Sequence, residues 1–300
     1  MSDITTIEQY FDRLRAGFAG TDRAVAQDAT YDAQEFLAGE RESLDAAGKP
    51  IDEAELVRRL RQGFGEPGEV VESYAATEAQ VAAALAQPRP RPPEGILGRI
   101  LAVFVDPYSY GALFFMLLSL PLGVVYFTWA VFGVATSLGL GILIFGFLFF
   151  LFFMSTVRAV ALIECRVVEA LLGERMPRRP SVVAPRGKLT ERLKFWLTDG
   201  RTWLTILYMV LRLPLGIVYF VVVVTVLSLS FSFVVTPFAQ LFFDYPMVTV
   251  FETSYYLPFW AFPVLWLTGF VGVLGLMHFA RAVGRWHAAL AKSMLARPGP

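Results

Sequence analysis

DPYSYGALFFMLLSLPLGVVYF, residues 106–127, returns as DGRTWLTILYMVLRLPLGIVYF at residues 199–220. The two stretches align without gaps at an offset of 93, ten of the 22 pairs are identical, and LPLGxVYF recurs whole. A repeat of this length predicts a membrane part written twice from one pattern. The first copy lies in a run, residues 107–157, that holds no Asp, Glu, Lys or Arg. Such a run accommodates two spans of about 20 residues and a turn. Residues 213–243 and 253–280 are also uncharged, so the reading is an all-α membrane protein with four transmembrane helices.

A weaker echo extends the repeat. Arg158-Ala159-Val160 matches Arg281-Ala282-Val283 at an offset of 123, at the ends of the second and fourth runs. The unit is therefore span, span and amphipathic tail: residues 99–198 form the first copy and 199–300 the second. Two spans per unit give both copies the same orientation and imply a pseudo-twofold axis along the membrane normal. Residues 158–201 carry ten Lys or Arg, and Arg281, Arg285, Lys292 and Arg297 follow the last run. Segments 136–141 and 228–257 carry none, so the basic segments and both termini are expected in the cytoplasm of a bacterial plasma membrane.

Residues 1–87 are different in kind. They hold 17 acidic against 8 basic side chains, and Ile4, Ile7, Phe11, Leu14 and Phe18 recur at helical spacing. Thr21 or Asp22 can cap a second helix, Asp52 with Glu55 forms a capping box for a third, and GFGEPGE turns into a fourth. The expectation is an N-terminal cytoplasmic helical bundle, joined by a proline-rich linker, residues 88–98, to the membrane part. Its acidity argues against direct nucleic-acid binding, which needs clustered Lys and Arg, and favours a protein partner.

Known catalytic patterns are missing from the sequence: it has no GxxxxGK[ST] loop, GxSxG elbow or HExxH pair. Cys165 is the sole cysteine, and His278 and His287 lie nine apart, which reads as ordinary polar residues on an interfacial helix. No enzyme activity, catalytic residue, metal site or cofactor is expected. The candidates for ligand binding or hinge motion are the repeated elements themselves: Pro121, Gly123 and Tyr126 in the first copy, Pro214, Gly216 and Tyr219 in the second. Proline removes a helical donor and glycine admits a neighbouring backbone, so the two motifs can act as a symmetric hinge. Arg212 completes the set as the basic charge inside an apolar segment. Arg201, Thr205, Tyr208 and Arg212 recur on one helical face, which places residues 200–212 along the interface with Arg212 toward headgroups. Snorkelling from a longer tilted helix is the alternative. The aromatic outer segment, residues 237–260, reads as an interfacial belt.

At LPLGxVYF and its repeat, roughly residues 100–296, the chain resembles the sensor domain of bacterial membrane proteins often found ahead of histidine kinase modules in actinobacteria. FGEPGEVVESY resembles the HAAS-type helical domains that accompany PadR-type transcription factors. The resemblance implies a membrane-embedded sensor that relays to a cytoplasmic partner such as a PadR-type regulator, in addition to its contacts with the lipid bilayer. A homo-oligomer stays open. So do two other functions, a small transporter or export subunit and a constitutive membrane scaffold.

Overall fold

Four helices dominate the computed structural model, which describes residues 4–48, 52–85, 95–140, 144–179, 189–251 and 253–296. Most of the proline-rich linker, Arg186 and Lys188 lie outside the described residues. The chain divides into two compact units, one of Met1–Pro88, Ala130–Tyr208 and Ala288–Pro300, the other of Arg89–Trp129 and Met209–His287.

The first unit opens with α1 (Ile7–Gly17), α2 (Arg23–Ala46), α3 (Glu53–Gly63) and α4 (Pro67–Leu85). Local chemistry sets their ends. The Thr6 side chain accepts from the Gln9 amide at 3.2 Å, and Asp22 accepts from the Ala24 amide at 2.9 Å. Pro67 starts α4, where a missing donor costs nothing. Asp52 is the N-cap of α3 by position, but its side chain makes no cap hydrogen bond, so the expected capping box does not form. Glu53 instead accepts from the Ile7 amide at 3.1 Å, tying α3 to α1. Tyr10, Leu14, Phe18, Ala29, Val57, Leu60 and Val70 make one buried apolar core from all four helices. Against it pack the partly buried Phe36, Phe64 and Tyr74.

Beyond the linker come α5 (Ile96–Leu101), a 3-10 turn (Ala102–Phe104), α6 (Pro107–Gly139), α7 (Ile144–Leu172), α8 (Leu189–Thr198), α9 (Gly200–Phe243) and α10 (Ala261–Leu295). Helices α6, α7, α9 and α10 are each long and apolar enough to cross a membrane. The 44 residues of α9 rise about 66 Å, more than twice the hydrocarbon thickness of a bilayer. Its start at Gly200 differs from the separate interfacial segment expected for residues 200–212. Pro214 and Pro237 lie inside α9 without interrupting it, and Pro121 lies inside α6. Large apolar side chains such as Phe114, Val125, Leu148, Phe152, Val218 and Val264 are exposed along these helices, as lipid-facing positions require.

The connection from α9 to α10 carries a small antiparallel hairpin of β1 (Val248–Val250) and β2 (Thr253–Tyr255), with Thr249 opposite Ser254. Gln240 fastens it, donating to the Leu257 carbonyl at 2.8 Å and accepting from the Leu257 amide at 2.9 Å. Phe242, Phe243, Phe251, Phe259 and Trp260 stand exposed around it.

Candidate functional site

Two groups of buried polar side chains stand out, each within one unit. In the second unit α6 approaches α9 where the two LPLG motifs lie. A Cβ on Gly123 would fall 2.8 Å from the Arg212 carbonyl oxygen, and one on Gly216 would fall 2.4 Å from the Ser119 carbonyl oxygen. Only glycine permits this backbone approach. The contact is reciprocal, because Gly123 aligns with Gly216 and Ser119 with Arg212 at the offset of 93.

Arg212 is fully buried at this crossing. Its Nη1 donates to Ser119 Oγ at 2.9 Å, and its guanidinium sits 4.5 Å from the Phe115 ring centroid. The expected orientation toward headgroups is therefore incorrect: a hydroxyl and an aromatic face inside the protein take the charge from lipid. Phe115 also meets the His287 ring at 4.8 Å between centroids, and His287 Nδ1 lies 3.2 Å from the Tyr219 hydroxyl. His287 is fully buried, so it is not an interfacial polar residue as its sequence spacing suggests. Tyr126 and Tyr219 are both buried, whereas Pro121 and Pro214 face outward. The structure thus brings Gly123, Arg212, Gly216 and Tyr219 together and adds Phe115, Ser119 and His287. At the helix start, Asp106 accepts from the Tyr108 amide at 3.3 Å and pairs with Arg281 at 3.1 Å.

The first unit holds the second group. Asp28, on α2, is buried and accepts from Arg175 Nη2 at 2.9 Å, the Arg178 amide at 2.8 Å and the Arg179 amide at 2.7 Å. Arg175 Nε donates to Glu78 of α4 at 2.7 Å, and its Nη1 donates to the Met176 carbonyl. Gln27 donates to the Arg179 carbonyl at 2.9 Å, and Arg179 pairs with Asp32 at 2.9 Å. Asp32 also accepts from the Tyr74 hydroxyl at 2.7 Å. Lys292, near the end of α10, reaches Asp22 at 2.6 Å. The acidic helices are thus fastened to the basic segment that follows α7. Burial pushes the Asp28 carboxyl above its ordinary value, against the lowering pull of the hydrogen bonds from Arg179, Arg175 and Arg178. Burial draws the Arg175 guanidinium down, but its hydrogen bonds to Glu78 and Asp28 more than reverse this.

Elsewhere in this unit Tyr208 donates to Glu164 at 2.7 Å, both buried. Asp199 accepts from Thr202 Oγ1 at 2.6 Å and lies 4.0 Å from Arg158. The guanidinium of Arg158 stacks 3.8 Å from the Trp196 ring centroid. Among the described residues no three His, Cys, Asp or Glu side chains converge on a possible metal position.

Sequence reasoning missed Asp28, Arg175, Ser119, Phe115, Glu164 and His287. One signal was available for some of them: Phe115 and Ser119 occupy the repeat positions of Tyr208 and Arg212.

Four long apolar helices with buried charges between them define a multi-pass helical membrane protein. The chain belongs to the family described as "Putative sensor", whose model matches residues 115–295. No curated protein and no solved structure matches the chain.

Proposed function

We propose that the protein is a non-enzymatic membrane sensor whose four-span part controls the N-terminal helices, and through them a cytoplasmic partner such as a PadR-type transcription regulator. The observation that carries this reading is the buried Asp28 site, where α2 and α4 are held by the segment directly following α7. A shift of α7 moves Arg175, Arg178 and Arg179 together, so a change in the membrane helices alters how firmly the acidic helices are held. Family membership adds the sensor role itself.

The internal duplication belongs to the same reading. It is supported by contacts that recur at repeat-related positions. Gly123 meets Arg212 as Gly216 meets Ser119. Asp106 pairs with Arg281, and Asp199 stands opposite Arg158, at offsets of 93 and 123. Phe115 meets His287 edge-on, and Tyr208 bonds to Glu164, at the same two offsets. One crossing to which each repeat contributes a glycine contact can serve as a bistable element that needs no third partner. On this reading the basic segments and both termini lie in the cytoplasm of a bacterial plasma membrane.

The test compares full-length wild type with Asp28→Asn in native membranes. Recovery of a soluble protein partner in clearly different yield from the two supports the relay. Equal yield indicates a constitutive scaffold, and solute flux through vesicles carrying the purified protein indicates a transporter.

A further inference from the structure

A cleft in the first unit is lined by three arginines, Arg158, Arg179 and Arg201, together with apolar Val157, Ala161 and Leu162. Its enclosed volume is about 30 Å³, the remaining space being open to solvent, and no carboxylate is among the side chains that line it. Each guanidinium is oriented by a separate contact. Arg158 lies against the Trp196 ring and 4.0 Å from Asp199, Arg201 Nη1 donates to the Ala296 carbonyl at 3.0 Å, and Arg179 pairs with Asp32. A guanidinium carries five donors in a planar fork that matches phosphate oxygens, so an arginine already held by one partner can bind an anion as well. The apolar side of the same cleft belongs to α7, a helix apolar enough to cross a membrane. Basic and apolar walls in one cleft at the arginine-rich end of a span match a molecule that is itself half phosphate and half hydrocarbon.

We propose that this cleft binds the phosphate of an anionic membrane lipid, with the acyl chains along α7; as the sensor's input, the proposal rests on the relay reading above. Arg179 supplies the coupling. It lines the cleft and pairs with Asp32 of α2, while Gln27 lines the cleft and donates to the Arg179 carbonyl. A phosphate that recruits Arg179 competes with Asp32 and loosens α2, which gives the ligand a different affinity for the two states.

The test uses the full-length protein in nanodiscs of phosphatidylcholine alone or mixed with phosphatidylglycerol, and native mass spectrometry to count retained lipid. Wild type is expected to retain phosphatidylglycerol in preference to phosphatidylcholine. Arg158→Gln and Arg201→Gln should each cut that retention about tenfold, the loss of one charge-assisted hydrogen bond. Ala161→Glu keeps all three arginines and should cut it equally, which guards against misfolding of the arginine variants. Retention unchanged in Ala161→Glu and in either arginine variant overturns the site. Displacement of the lipid by inorganic phosphate at modest concentration keeps the phosphate chemistry but overturns the lipid source. Amide exchange of α2, read in the same samples, separates the two ideas. Lipid bound with α2 unchanged leaves the site and removes its link to the relay. An α2 that responds to Arg175→Gln without lipid retention removes the site and leaves the relay.

Discussion

A single methyl group probes the crossing of α6 and α9. At Gly123 and Gly216 it would strike a backbone carbonyl oxygen, which cannot rotate away as a side chain can. Gly123→Ala and Gly216→Ala should each destabilise the detergent-solubilised protein by about 1–3 kcal/mol, the ordinary cost of overpacking. Gly275 is the control, a helical glycine in α10 with nothing within 4 Å of its would-be Cβ. Gly275→Ala should be neutral or stabilise by up to about 1 kcal/mol, because helical alanine loses less backbone entropy. Thermal unfolding of the three variants checks both signs, and three equal midpoints would contradict the close approach. The sequence displays these glycines openly, because LPLG is repeated. It does not display the partners of Arg212. Ser119 lies 93 residues away and Phe115 further still, so a charge that looked destined for headgroups is housed inside by contacts with no local signature.

The helices differ in how far their neighbourhoods can be read locally. Stripes such as Phe11, Leu14 and Phe18 announce a buried face, and that face is buried in the structure. Because the core of α1 to α4 is drawn from residues 4–74 alone, residues 1–87 should fold as an isolated fragment. Circular dichroism should show a cooperative helical transition. Leu60 is fully buried in that core, and Leu60→Ala should cost about 2–5 kcal/mol. A non-cooperative melt of the wild-type fragment would contradict a self-contained core. Element ends were harder to read. Asp52 stands where a capping box is expected, but the carboxylate beside it, Glu53, is engaged by the Ile7 amide of another helix. The start of α9 is hard to place for a related reason: Arg201, Thr205, Tyr208 and Arg212 look interfacial by polarity, yet Tyr208 is buried on Glu164 and Arg212 on Ser119. Polarity alone does not reveal whether water or a partner satisfies a side chain.

For the molecule as a whole, orientation and coupling decide function. Thr249 in β1 and Glu174 after α7 are both exposed, and the topology proposed from the arginine bias would put them on opposite sides of the membrane. With Cys165→Ala as background, Thr249→Cys should react with an impermeant thiol reagent in intact cells, and Glu174→Cys should react only after lysis. The reverse order would invert the topology. The net charges were visible in the sequence as an acidic domain and a basic membrane part, and a separate partner was inferred from them. The structure adds that part of this acidity meets the chain's own arginines, at a buried carboxylate no motif announces. Coupling at that carboxylate is the central claim, and amide exchange of α2 in the full-length protein, wild type against Arg175→Gln in nanodiscs, tests it most directly. Removing one partner of a buried ion pair costs about 3 kcal/mol, so amides around Asp28 should exchange roughly a hundredfold faster in the variant, with those around Leu14 unchanged. Identical exchange around Asp28 in the two proteins would show that the segment after α7 does not hold the N-terminal helices, and would contradict the account.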